Sequence, residues 1–233
     1  MKRKLTYISA VIISLLLITT ITASNSEPDD TPVALVKKIV KDVTHRSGQE
    51  GAWEEAKTGI PLKNGEEVRT GYKSLALVLF TDGSGLIRVR ENSILHIYGE
   101  NVDQKLSKNT FIQKGKIGFD VQKQEDEEFK FTTPTAVASI RGTAGSIGVT
   151  DTTTIITCRR GLIGITTQTS SGDLPGGKTA NINQKGDIVI TETTASEQEQ
   201  HNQTEQTETK TIKIRTREGI LEIDYYPPLG QGN

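Results

Sequence analysis

The chain has 233 residues, enough for one large β domain or two small ones and for a real core. Apolar residues make up 33% and aromatics only 5%, so the core must be built from Val, Ile and Leu, a composition that suits strands better than a large helical bundle. Formal net charge is −1; without Lys2, Arg3 and Lys4 it becomes 25 basic against 29 acidic groups, or −4, which leaves no electrostatic footprint for a nucleic-acid backbone and excludes that class of partner.

The chain opens with a pattern of export. Lys2-Arg3-Lys4 is a short cationic start, Leu5 to Ala23 carries no charge, and small residues surround Ala23. Residues 1–23 are expected to be a cleaved signal peptide, with an uncleaved membrane anchor as the alternative. Thr6, Ser9, Ser14, Thr19 and Thr20 dilute the apolar run and favour the leader, and no cysteine follows it to take a lipid. Residues 24–32, with Pro28 and Pro32, are expected to be a linker.

From Val33 the pattern changes to short apolar alternations broken by glycines. Leu75 to Phe80 is apolar on both faces and needs cover on both sides. Ile117, Phe119 and Val121 alternate with Gly118 and Asp120, and Phe129 and Phe131 flank Lys130, as half-buried strands do. Ile163-Gly164-Ile165 and Ile188-Val189-Ile190 continue the series. The only helical turn expected is Ala52 to Ala56, between Gly51 and Gly59.

Four glycines share one context. Gly65, Gly115, Gly161 and Gly186 each follow a polar corner and lead into an apolar strand, at intervals of 50, 46 and 25 residues. The expected fold is all-β: a single domain over residues 33–191, twisted and irregularly β-solenoid-like, with a β-sandwich-like arrangement as the alternative. Cys158, the one cysteine, reads as a small buried hydrophobe in the strand from Thr154, or else as a free thiol linking two chains.

Residues 192–211 contain no Val, Ile, Leu or aromatic residue and read as a low-complexity linker or mobile loop. Residues 212–226 read as a hairpin and residues 227–233 as a loose tail. A lone hairpin is marginal in water, so this one is expected to dock, either back on the core to cover an open strand edge or on a partner by strand addition.

Two stretches resemble a known family. The first is Trp53-Glu-Glu-Ala56 with Gly59, Leu62, Gly65, Val68, Thr70 and Gly71, then Leu75 to Phe80 and Asp82-Gly83-Ser84; the second is Phe129-Lys-Phe-Thr-Thr-Pro-Thr-Ala-Val-Ala-Ser-Ile-Arg-Gly-Thr143. Together they resemble the FecR domain across about Ala34 to Thr191. The resemblance implies a twisted β domain outside the cytoplasmic membrane, of a kind that relays transporter occupancy to an anti-sigma segment. Only three basic residues precede the apolar segment, and no globular region follows the β domain, so direct control of a sigma factor is not expected. Ala144-Gly145-Ser146 departs from the bulkier residue more usual after Arg-Gly-Thr.

The signature residues Trp53, Gly65, Thr70, Gly71, Asp82, Gly83, Ser84, Thr133, Pro134, Arg141, Gly142 and Thr143 are expected to be structural. Asp82-Gly83 signals a two-residue hairpin turn, and Pro134 should end the Phe129–Phe131 strand. Arg141 is expected to be held between coils by carboxylates or carbonyls, with a partner's carboxylate as the alternative, so that Arg141→Ala would lower stability more than binding. Trp53 reads as a lid over an open coil end, or else as an anchor for a partner.

His45, His96 and His201 are scattered, and no nucleophile elbow, His-Glu-x-x-His motif or cysteine cluster occurs. No enzyme activity, cofactor, metal or small-molecule substrate is expected. The expected role is an exported protein-interaction or signal-sensing module whose partner is another envelope protein; an adhesin-like module binding glycan or matrix, or a structural envelope protein, are the alternatives. Periplasm, outer surface and medium all fit.

Overall fold

The computed structural model describes residues 31–102, 105–123, 129–205, 210–215 and 219–225. The expected leader and the tail lie outside them, as does all of the first linker except Thr31 and Pro32. No helix among the described residues is long and apolar enough to cross a membrane.

The described chain is mostly strand. In order these are β1 (Ala34–Val40), β2 (Val43–Ser47), β3 (Glu54–Glu55), β4 (Pro61–Leu62), β5 (Glu66–Thr70), β6 (Leu75–Phe80), β7 (Gly85–Val89), β8 (Ile94–Val102) and β9 (Lys105–Val121). There follow β10 (Phe129–Thr132), β11 (Val137–Val149), β12 (Thr153–Thr166), β13 (Ser171–Pro175), β14 (Lys178–Asn183), β15 (Ile188–Glu192), the helix α1 (Ala195–Glu205), β16 (Lys210–Arg215) and β17 (Ile220–Tyr225). Strands β1 to β15 join in one open, branched sheet. Its pairings are antiparallel except for β9 with β10.

Three long strands fold this sheet over its own core. The first half of β9 pairs with β8 and β10, and the second half with β7 and β11. β11 and β12 divide in the same way, β12 passing from β14 to β13. The break falls at Gly115 in β9 (φ 96°), at Gly142 in β11 (φ 63°) and at Gly161 in β12 (φ 93°), where a side chain would strain the backbone. A first layer thus holds β2, β3, β5, β8, β10, β13 and one half of each long strand. The second holds β1, β4, β6, β7, β14, β15 and the other halves. The solenoid-like and sandwich-like expectations meet here, because each glycine bend carries the chain from one layer to the other.

The core lies between the layers and is aliphatic with a small aromatic centre. Phe80 of the second layer meets Phe129 of the first edge-on at 4.9 Å, and Phe119 meets Phe131 at 5.0 Å. Ile117, Phe119, Ile147, Ile156, Ile163 and Ile165 belong to the same continuous cluster. Leu75 and Leu77 are buried with Val40 in a separate small cluster, so β6 is covered on both faces as its composition requires. Cys158 is buried in the core, and desolvation pushes its thiol up to about 11, which makes it inert at neutral pH.

Two expectations about helix are corrected. The segment after Trp53 is the short strand β3, not a helical turn, because Glu54 and Glu55 pair with His45 and Thr44. The supposed linker 192–211 instead contains α1. Thr194 caps it, accepting from the Glu197 amide (3.2 Å) while the Glu197 carboxylate accepts from the Thr194 amide (2.7 Å), a reciprocal capping box. A helix without large apolar residues docks by polar contacts. Lys116 donates to the Gln200 side chain (3.2 Å), Arg159 pairs with Glu205 (2.9 Å), and His201 is buried at 1% exposure.

His201 makes this docking sensitive to acid. Burial holds its imidazole below the ordinary range; Arg159 and Lys116 add to that effect, and Glu205, 3.5 Å away, opposes it. The docked helix therefore favours neutral His201. As pH falls through the ordinary value near 6.5, the released helix takes up a proton that the docked one resists, so docking weakens as pH falls. Protection of the Ala195–Glu205 amides relative to their intrinsic exchange rates is expected to be lower at pH 5.5 than at pH 7.5, with that difference reduced in His201→Gln; equal pH sensitivity of protection in both proteins would refute the assignment.

β16 and β17 form their own two-stranded sheet, with Ile212 opposite Ile223 and Ile214 opposite Leu221. Among the described residues neither strand pairs with the main sheet, so the edge of β15 is not covered by them in the way self-docking requires.

Candidate interaction surface

Most of the signature residues are joints. Asp82 lies in the four-residue loop between β6 and β7, longer than the two-residue turn expected, and Gly83 there has φ 73°. The Asp82 carboxylate accepts from the Ser84 amide (3.0 Å) and hydroxyl (2.6 Å) and pairs with the Lys108 ammonium. Lys108 is 1% exposed on β9 and also donates to Ser84 Oγ (2.8 Å), so this loop ties one layer to the other. Burial works to raise the Asp82 carboxyl, but the Lys108 and Ser84 hydrogen bonds outweigh it and hold the group below its ordinary value.

Thr70 and Gly71 close the end of β5. Thr70 Oγ1 donates to the Arg90 carbonyl (2.5 Å) and accepts from the Ser93 amide (3.1 Å), while the Gly71 amide donates to the Asp42 carbonyl (2.8 Å). Gly65 sits at a turn with φ 83° and donates to the Ile97 carbonyl (2.7 Å). Thr133 and Pro134 turn β10 into β11, the Thr133 hydroxyl accepting from the Ala136 amide at 3.0 Å, and β10 ends before the proline.

Gly142 and Thr143 form the bulge that bends β11, with the Thr143 hydroxyl 3.1 Å from the Leu162 carbonyl. Arg141 departs from expectation. It is exposed, and no ion pair joins it to a described residue, because the alternation of β11 turns it away from the core. Exposure at this position removes the buried setting on which the stability argument for Arg141→Ala rests. The small residues after it have a reason too: a Cβ at Gly145 would meet the Phe119 ring at 2.8 Å.

Trp53 is neither a lid nor a core residue; it stands on the outer face of the first layer. Arg46 of β2 lies 4.6 Å from its ring centroid and Arg69 of β5 lies 4.1 Å from it. Strand register extends this contact across the layer. Arg46, Glu67, His96 and Phe111 stand opposite one another on β2, β5, β8 and β9, and Thr44, Arg69 and Ile94 form the next row. Glu67 is fully buried in that row. It accepts from Arg46 (2.9 Å) and lies 3.4 Å from His96 Nδ1, and the opposite ring nitrogen of His96 is 3.1 Å from Gln113 Oε1. The His96 ring lies 5.2 Å from Phe111 and parallel to Tyr98 at 6.4 Å.

The result is a strip of Trp53, Arg46, Arg69, His96, Tyr98 and Phe111 over a buried, paired carboxylate. Half-buried Trp53, Tyr98 and Arg46 beside exposed Arg69 are of the residue types that dominate protein–protein binding energy. A shallow cleft of about 360 Å³ lined by Tyr98, Gly99, Ser107 and Asn109 continues it. Of these residues the sequence singled out only Trp53 as a candidate for binding. The available signal was the long polar or aromatic side chain at every second position of Thr44-His45-Arg46, Glu67-Val68-Arg69 and His96-Ile97-Tyr98. Among the described residues no cluster of side chains could hold a metal ion.

Residues 66–164 match the family model described as FecR protein. No curated protein matches the chain. Two crystal structures of a candidate anti-sigma factor from Parabacteroides distasonis ATCC 8503 are similar in part, at 16% and 15% identity with TM-scores of 0.48 and 0.46. Each alignment covers 54% of this chain and 59% of the other, so the chain spans less than two thirds of those proteins. Trp53 and Gly65 precede the matched residues, whereas Thr70, Asp82, Thr133 and the Arg141-Gly142-Thr143 bulge fall within them. The bends at Gly115, Gly142 and Gly161 all lie within the stretch, residues 66–164, over which this chain matches the FecR domain.

Proposed function

We propose that this protein is a non-catalytic regulatory module of a bacterial cell envelope, and that it engages another envelope protein through the Trp53 strip. The observation that carries this reading is the indole of Trp53 with two guanidiniums against its ring, one of them anchored on buried Glu67. Such an arrangement offers area and hydrogen bonds at little cost in ordering. The FecR domain supports a role in signalling, and the pattern of Lys2 to Ala23 supports export with cleavage near Ser24.

Site-specific photo-crosslinking in the native cell tests the surface. A crosslinker at Tyr98 is expected to capture a discrete heterologous protein, whereas one at Val189, exposed on β15 in the second layer, is not. No adduct from Tyr98, or the same adducts from both positions, would overturn the reading.

A further inference from the structure

The two arginines against Trp53 differ in what their neighbours leave them to do. Arg46 is occupied: one terminal nitrogen donates to the Gln49 carbonyl (2.7 Å) and the other to Glu67 (2.9 Å). Its charge is matched by that buried carboxylate. Arg69 has the closer contact with the indole, and its Nε donates to the Thr44 hydroxyl at 3.2 Å. Those two contacts fix the plane and the rotation of the guanidinium. Its two terminal nitrogens have no hydrogen-bond or ion-pair partner among the described residues, and the residue is exposed. The acid nearest in register, Glu55 across Thr44 on β3, makes no ion pair with it. A stacked guanidinium with a free fork is pre-organised to take a carboxylate with two parallel hydrogen bonds.

We infer that Arg69 is the anion-reading group of the strip, and that the partner presents an acidic side chain to its two terminal nitrogens while packing on Trp53. This inference rests on the proposed role of the strip as an interface. It gives the partner a chemistry, an Asp- or Glu-bearing protein segment, and it separates the roles of the two cations. Arg46 holds the indole in place, and Arg69 reads the ligand.

Trp53 is the only tryptophan, so its indole N–H signal reports on this site without labels. Hexaglutamate added at low salt is expected to shift that signal saturably, and hexalysine is not. Arg69→Gln should weaken the hexaglutamate response by about tenfold or more, and Arg69→Lys should restore only part of it, since an ammonium lacks the planar fork. Because Arg69 is exposed, both variants should keep the wild-type melting temperature. Equal responses in wild type and Arg69→Gln, or no saturable response at all, would overturn the inference. A Tyr98 crosslink without any hexaglutamate response removes the acidic partner but leaves the interface, whereas loss of the Tyr98 crosslink removes the interface itself.

Discussion

Asp82→Asn is expected to lower the stability of the fold by about 3–5 kcal/mol, far more than a surface ion pair is worth. The reason lies in the unequal burial of the two partners. Lys108 is 1% exposed on the inward row of β9, opposite Phe129, with its ammonium 5.9 Å from that ring. The Asp82 side chain is 25% exposed at the rim. Removing the carboxylate takes the negative charge away from an ammonium buried in the core. Removing the cation leaves an aspartate that water and Ser84 still serve. Lys108→Met should therefore cost no more than about 1–2 kcal/mol, and Asp82→Asn combined with Lys108→Met should resemble Lys108→Met alone.

Denaturant midpoints of the three variants decide this, and equal losses from the two single changes would contradict it. Acid acts on the same pair. With the Asp82 carboxyl held below its ordinary value, its contribution is fully present above the unfolded value near pH 3.8 and is lost as pH falls through the lower folded value. The Lys108→Met protein should lose less stability over that range.

What the sequence makes legible is set by the range over which each physical signal acts. Period-two alternation is local, so the inward positions of β9, β10 and β12 can be read directly: Ile117, Phe119, Phe129, Phe131, Ile163 and Ile165 are all buried. α1 is invisible to that criterion because no large apolar residue marks its docked face. The capping box Thr194-Ala195-Ser196-Glu197 was nevertheless a readable local signal for its start.

The Trp53 strip is harder still. Its row joins Arg46, Glu67, His96 and Phe111 from four separate segments, and only strand register brings them together. In one dimension each looks like part of an ordinary solvated face. The same limit misplaces Arg141, where an arginine after an apolar run suggests a buried pair, although the parity of β11 decides the side it occupies. Lys108 shows the opposite case, a charged residue in a polar stretch that register carries into the core.

The glycine corners were legible as corners, and a series of alanine substitutions should separate their backbone role from their packing role. Gly65, Gly115, Gly161 and Gly186 have φ of 83°, 96°, 93° and 85°, so alanine at any of them carries backbone strain of about 1–2 kcal/mol. Space divides them. At Gly65 a Cβ would meet nothing within 4 Å. At Gly186 it would meet the Thr169 and Thr167 hydroxyls at 2.8 and 2.9 Å, groups able to rotate aside. At Gly161 it would meet the Gly142 carbonyl and Thr143 Oγ1, both at 2.8 Å, inside the bulge that bends β11. At Gly115 it would meet Ser93, with the Cα at 2.5 Å, so no rotation of that side chain makes room. Ser93 is fully buried and holds the bend, its hydroxyl accepting from the Lys116 amide at 2.9 Å and lying 3.2 Å from the Lys116 carbonyl. Overpacking there adds about 1–3 kcal/mol to the strain. The expected order of destabilisation is Gly115→Ala, then Gly161→Ala, then Gly186→Ala, with Gly65→Ala least. Gly115→Ala should lose about 2–5 kcal/mol in total and Gly65→Ala only the strain. Chemical denaturation of the four variants gives the order directly. If Gly65→Ala cost as much as Gly115→Ala, backbone conformation alone would account for the corners, and the close packing at the bend in β9 would carry no weight.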